Sequence, residues 1–274
     1  MKTKMELTLL KAGYCTQLER IAKQNGRMKM IRFPASFVLI KHPQKGYILF
    51  DTGYSEHVKQ AMKSFPFQIY AMTTPIYLKE GESAKEQLQA MGISPEEVNY
   101  IILSHFHVDH LGGCLDFPNA TFICSRKEYE SVKDKKGFSA LKSAFIPSLL
   151  PDNFFIRSIY VEETNKLETP IIYNIFPESY DLFGDGSILA ISLPGHTSHQ
   201  FGILLTYKEQ PYFFISDACW LSETYQNMQY PSKLAKLITK GHKDYYDNIF
   251  KLHLIHKLYP DVKIIPCHDD LVTL

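Results

Sequence analysis

The sequence predicts an α/β or α+β fold of two packed sheets with helices outside, and three observations carry that prediction. Short, β-rich apolar runs arrive in two batches, and helical segments follow each batch. At 274 residues the chain can bury a substantial core, and no linker, fixed-period repeat or low-complexity stretch divides it. A single domain over residues 1–274 is the expectation.

In the first batch, Leu7 to Leu10, Phe37 to Ile40 and Tyr47 to Phe50 read as strands, the last running into the turn Asp51-Thr52-Gly53. Residues 65–78 (FPFQIYAMTTPIYL) are apolar but broken by prolines. Ser83 and Glu86 form a capping box ahead of Leu88 and Met91, and Gly92 supplies a stop, so 83–91 reads as a helix. A strand at 100–103 and another at Thr121 to Cys124 follow. Residues 125–134 suit a polar surface helix and 138–150 an apolar one, while 151–185 has no regular pattern. The second batch comprises Ile188 to Leu193, Phe201 to Thr206 and Tyr212 to Ile215. Helices over 231–240 and 244–258 precede a last strand, Val262 to Ile265.

Composition narrows the function. Lys plus Arg (30) nearly cancels Asp plus Glu (29), which gives no electrostatic case for nucleic acid or an anionic membrane. The expected partner is a small molecule, with the chain a monomer or homodimer. Five cysteines without a C-x-x-C pair indicate neither a disulfide framework nor a zinc ribbon. Glu6 and Lys11 interrupt the N-terminal apolar run, so no signal peptide is read there, and nothing approaches the roughly 18 apolar residues of a membrane helix. A cytoplasmic location is expected.

The chemistry concentrates in SHFHVDHLGG, residues 104–113, directly after the apolar run at 100–103. Residues two apart in an extended chain point to one side, so His105 and His107 can share a metal, and Asp109 and His110 just beyond can reach a second. Gly112 and Gly113 relieve crowding where the chain turns away. The same local design recurs: His196 follows ILAISLPG, Asp217 follows YFFIS, and His268 follows VKIIPC. Four strand ends thus each deliver a metal-type donor. Five histidines and two aspartates suit zinc, manganese or iron(II) without thiolate, and two ions bridged by a carboxylate and a water are the natural count.

The segments H-F-H-V-D-H at 105–110, P-G-H at 194–196, S-D-A at 216–218 and P-C-H at 266–268, with Asp-Thr-Gly at 51–53, resemble the metallo-β-lactamase-fold hydrolases. The resemblance implies an αββα sandwich, with His105, His107 and His196 on one metal, Asp109, His110 and His268 on the other, and Asp217 bridging. Within that superfamily, SHFHVDHLGG, SRKEYE at 125–130 and the late strand ending in His268 are similar to N-acyl homoserine lactonases. Those enzymes place a tyrosine three residues after the bridging aspartate, against the lactone; here the position is Trp220, whose indole N–H donates a hydrogen bond but is no proton acid. Tyr225 is a candidate to reach in its place. The interval from His110 to His196 is also longer than in the compact lactonases. Residues 65–78 correspond to a pocket-lining loop that could hold an acyl chain; a core-covering segment or a dimer contact is the alternative.

The implied chemistry is hydrolysis. A water between two divalent ions, zinc foremost with manganese or iron possible, loses its proton and opens a lactone, with Asp217 holding the ions together and Asp109 orienting or accepting the proton. A glyoxalase II-like thioester hydrolase shares the ligand set and is the alternative, although no arginine-rich glutathione site is evident. A non-catalytic metal-binding sensor is a third reading, and the complete donor set counts against it. Among other residues, His199 is expected to support the site from behind, and His42, His57, His242, His253 and His256 to be structural. Cys219 and Cys267 are read as buried and inert, and Lys233, Lys236, Lys240 and Lys243 as a solvated helix face.

Overall fold

The computed structural model describes residues 5–232, 241–272 and 274. The chain divides into two compact units: Met1–Thr16 with Arg32–Ile159 and Thr273–Leu274, and Gln17–Ile31 with Tyr160–Val272.

The first unit is built on strands β1 (Glu6–Leu18), β2 (Met30–His42), β3 (Gly46–Phe50), β4 (Ile76–Tyr77), β5 (Val98–Ile102), β6 (Thr121–Cys124) and β7 (Ser158–Tyr160). They form a sheet in the order β4-β1-β2-β3-β5-β6-β7. β2 and β3 pair antiparallel, while β3, β5 and β6 run parallel, with Leu49 opposite Ile101 and Ile101 opposite Phe122. Parallel strands are covered on both faces, which is why these central runs are almost continuously apolar; Ile48, Leu49, Ile101, Ile102, Phe122 and Ile123 are fully buried. The helix Ala84–Ala90 carries the expected Ser83–Glu86 capping box.

The second unit holds β8 (Asn165–Glu168), β9 (Glu178–Asp181), β10 (Ile188–Ser192), β11 (Phe201–Tyr207), β12 (Gln210–Ser216) and β13 (Lys263–Pro266), ordered β13-β12-β11-β10-β9-β8. From β8 to β12 neighbouring strands pair antiparallel; β13 joins β12 in parallel. Its core packs Leu189, Ile191, Leu204, Phe213 and Ile215 with Leu252 and Ile255 from the helix His242–Leu258.

Several expectations need correction. β1 and β2 each run 13 residues, well beyond the four-residue apolar runs that announced them. Residues 138–150 are not one helix: Gly137–Leu141 is helical, Ala144 takes a left-handed φ of 45°, and Pro147–Leu149 forms a separate 3-10 turn. Residues 151–185 contain β7, β8 and β9; every residue of β8 is exposed, so there was no apolar alternation to read. The helix expected over 231–240 falls largely outside the described residues. Among the described residues no helix is long and apolar enough to cross a membrane.

Candidate metal centre

In the first unit the donors leave the end of β5. The strand stops at Ile102, earlier than the sequence suggests, so His105 and His107 stand on the loop beyond it, with Asp109 and His110 on a single helical turn, Val108–Leu111. The histidines still converge: ring centroids are 4.6 Å apart for His105 and His107 and 4.0 Å for His105 and His110. Asp109 Oδ2 lies 3.7 Å from His110 Nε2.

Asp51, at the end of β3, organises this cluster, a role the sequence reading missed. It sits at a left-handed φ of 58° and is almost fully buried. Its Oδ1 accepts the Ser104 amide at 2.9 Å; its Oδ2 accepts the Ser104 hydroxyl and faces His110 Nδ1, both at 2.8 Å. A carboxylate only accepts, so His110 carries its proton on Nδ1 and keeps the Nε2 lone pair for a ligand role. The single Ser104 hydroxyl proton goes to Asp51, so the 3.0 Å contact between Ser104 Oγ and His105 Nδ1 fixes His105 in the same tautomer. Thr52 binds the His110 carbonyl through its amide and its hydroxyl, at 2.8 and 2.9 Å, and accepts the Gly113 amide. Gly112 lets this turn lie against the 51–53 turn: a Cβ there would meet Gly53 O at 2.6 Å and Val58 at 2.7 Å.

In the second unit, Asp217 follows β12 directly, after Ser216 at a left-handed φ of 48°, a conformation that costs a non-glycine residue roughly 1–3 kcal/mol. Its carboxylate is flanked on both oxygens. His196 Nε2 lies 3.0 Å from Oδ2, and His268 Nε2 lies 3.1 Å from Oδ1. Ring nitrogens facing an accept-only carboxylate need a proton or a shared cation between them, so this half of the donor set fits divalent metal. Trp220 Nε1 donates to Oδ2 at 3.2 Å, and its ring stands edge-on to His196.

Two devices hold these donors. Gly195 lies against the helix His242–Leu258: the Gly241 amide donates to Gly195 O at 2.8 Å, and Asn248 Nδ2 donates to Pro194 O at 2.6 Å. Asp269, beside His268, accepts the Ser222 amide at 2.8 Å and so ties the end of β13 to the segment after β12.

The remaining expectations sort cleanly. Tyr225 is corrected: it is buried in its unit's core, and its hydroxyl donates to Ile264 O at 3.3 Å. His199 is half-buried in the turn between β10 and β11. His253 Nδ1 contacts Tyr225 O at 2.7 Å, His42 Nδ1 accepts two turn amides, and His57 pairs with Asp116 at 3.0 Å, all structural roles. Cys219 is inert as expected, its thiol donating to Leu221 O and pushed up to about 12 by burial. Cys267 is buried as expected, but it is not apart from the donors: its Sγ lies 2.7 Å from Asp217 Oδ1. In the 65–78 segment Pro66 is buried and Ile76–Tyr77 pairs with β1, while the helix Gln68–Thr73 buries none of its residues and Phe65 meets Phe138 edge-on at 5.4 Å. Of the lysine strip, only Lys243 is among the described residues.

Comparison with known proteins shows the family and the fold. A model of the Metallo-beta-lactamase superfamily matches residues 30–251. The N-acyl homoserine lactonase AttM of Azorhizobium caulinodans is 28% identical over 238 residues, 86% of this chain and 84% of that protein. AttM of Agrobacterium fabrum is 27% identical over the same shares. Among solved structures, an N-acyl homoserine lactone hydrolase with N-hexanoyl-L-homoserine at its catalytic metal centre has a TM-score of 0.71 at 20% identity, covering 98% of this chain and 95% of that one. AidC, a dizinc quorum-quenching lactonase, has a TM-score of 0.65 at 18% identity, covering 99% and 90%. At such identities the structural likeness shows the fold, and it is the α/β fold of two mixed sheets with helices that the sequence predicted. The chain belongs to the metallo-β-lactamase superfamily.

Proposed function

We propose that the chain is a dinuclear metal-dependent hydrolase that opens the ring of an N-acyl homoserine lactone-like substrate. The observation that carries the reading is Asp217, whose two oxygens each face a different histidine Nε2, at 3.0 and 3.1 Å, as a carboxylate shared by two ions requires. Its chemical class comes from relatives of similar length that are N-acyl homoserine lactonases. The family match runs across both units, which supports treating residues 1–274 as one hydrolase domain.

In this reading His105, His107 and His196 hold one ion, Asp109, His110 and His268 hold the other, and Asp217 lies between them. Zinc is the favoured metal, given the imidazole-rich donor set and a dizinc relative. Bound there, the two ions would activate water at neutral pH and polarise the lactone carbonyl. The protein's own residues then have defined tasks. Asp51 and Ser104 keep the Nε2 lone pairs of His110 and His105 available. Asp109, one-eighth exposed, is the group that can receive the proton lost by the attacking water. Trp220 orients Asp217 through its N–H and supplies no proton. His199 supports the loop that carries His196. Free, buried cysteines fit a reducing compartment, the cytoplasm.

The test is hydrolysis, side by side, of an acyl homoserine lactone series and a lactoylglutathione-type thioester by metal-loaded protein and by Asp217→Asn. Lactone turnover that disappears in the variant is the expected result. Turnover of the thioester alone would replace the reading with a glyoxalase II-like one, and turnover of neither would leave a binding role.

A further inference from the structure

Cys267 immediately precedes His268, and sequence neighbours ordinarily diverge, yet here both converge on one atom. Cys267 Sγ is 2.7 Å and His268 Nε2 3.1 Å from Asp217 Oδ1. One donor atom from each of Asp217, Cys267 and His268 lies within 4.8 Å of the others, and all three side chains are buried. The two carboxylate oxygens therefore keep different company. Oδ2 has an imidazole and the Trp220 N–H, whereas Oδ1 has an imidazole and a thiol.

We infer that Cys267 is a direct sulfur donor to the ion on the Asp217 Oδ1 and His268 side, making that half of the centre selective for zinc over manganese or iron(II). The inference rests on the dinuclear reading above and adds to it a donor outside the His and Asp set. A ring nitrogen and a sulfur from adjacent residues meet one carboxylate oxygen, all three buried, which is the arrangement of ligands around a single cation. A divalent cation satisfies all three. Thiolate is a soft ligand that favours zinc, while sites of carboxylate and water suit manganese. Binding transfers the thiol proton to solvent and forms one metal–sulfur bond, so no oxidant or reductant is involved. Cys219 supplies an internal control, because its Sγ is directed at the Leu221 carbonyl.

The experiment uses the full chain, stripped with chelator and reloaded with cobalt(II). Thiolate ligation gives a near-ultraviolet sulfur-to-cobalt charge-transfer band, which histidine and carboxylate ligands lack. We expect the band in the parent protein, its loss in Cys267→Ser at unchanged cobalt content, and its retention in Cys219→Ser. Cys267→Ser should also lower the zinc-over-manganese affinity ratio by about tenfold or more. Zinc absorption-edge spectroscopy on the parent needs no variant and should resolve a sulfur neighbour at about 2.3 Å. Cobalt uptake without the band, or with no sulfur neighbour to zinc, overturns the inference and leaves the dinuclear reading standing. A band that persists in Cys267→Ser overturns it too, since serine retains only a hydroxyl that can donate to Asp217. Failure to take up any metal overturns both.

Discussion

Replacing Asp51 by asparagine tests how the protein prepares a histidine for metal. The substitution preserves shape, and asparagine tolerates the left-handed backbone that Asp51 adopts, so the turn itself is not disturbed. What changes is the proton inventory. If the amide oxygen stays at the Oδ1 position to accept the Ser104 amide, the NH2 group falls where Oδ2 received the Ser104 hydroxyl and faced His110 Nδ1 at 2.8 Å. His110 then has to accept at Nδ1 and carry its proton on Nε2, where it can no longer ligate. The loss is one charge-assisted hydrogen bond, about 1.5–3 kcal/mol. At about 1.4 kcal/mol per tenfold, that is roughly a 10- to 100-fold weakening of metal binding, the range found when the outer partner of a ligating histidine is removed. The assay is titration of metal-free protein with zinc against a chromophoric chelator, with far-ultraviolet circular dichroism as the folding control. A folded Asp51→Asn protein that binds both ions within about twofold of the parent would refute the reasoning.

Further outcomes follow from other contacts. Trp220→Phe keeps the aromatic bulk but removes the donor to Asp217 Oδ2; kcat/KM on the lactone should fall about tenfold, for roughly 1.5 kcal/mol of hydrogen bond to a charged group. Gly195→Ala introduces a Cβ 2.5 Å from the Tyr245 backbone at a φ of 139°, which should cost roughly 2–5 kcal/mol in denaturant unfolding. Burial raises the Asp116 carboxyl above its ordinary value, and the facing His57 only partly opposes this. A raised carboxyl binds its proton more tightly in the folded state, so its contribution to stability is lost as pH climbs from the unfolded value of about 3.9 through the folded one. Thermal melts of metal-free Asp116→Asn should therefore depend less on pH than the parent's just above that value. Cys219, held protonated by burial that pushes it up to about 12, should resist iodoacetamide in the folded protein and react after denaturation, as peptide mass spectrometry would record.

The donor set was legible because metal sites leave compact signatures: three histidines and an aspartate in six positions, then single donors after apolar runs. The structure has Asp217 immediately after β12 and His268 two residues after β13. The groups that orient the donors were less visible. Asp51 is separated from His110 by 59 positions, and only the pairing of β3 with β5 brings their ends together. Cys267 reads as inert from the sequence because a residue beside a donor ordinarily points elsewhere, in a strand or a turn; in the turn after β13 both neighbours instead reach Asp217 Oδ1. The same limit applies to the fold. The buried parallel strands announce themselves as apolar runs, whereas β8, polar and exposed throughout, and β9, half-buried but polar in sequence, carry no such pattern.

The most direct test of the central claim is to follow lactone hydrolysis while metal-free protein is titrated with zinc, measuring bound metal in parallel. The account predicts no ring opening without metal, and activity that rises to a plateau as the second ion per chain is bound. Full activity without metal, a plateau at one ion, or a fully loaded protein that leaves every lactone closed would contradict it.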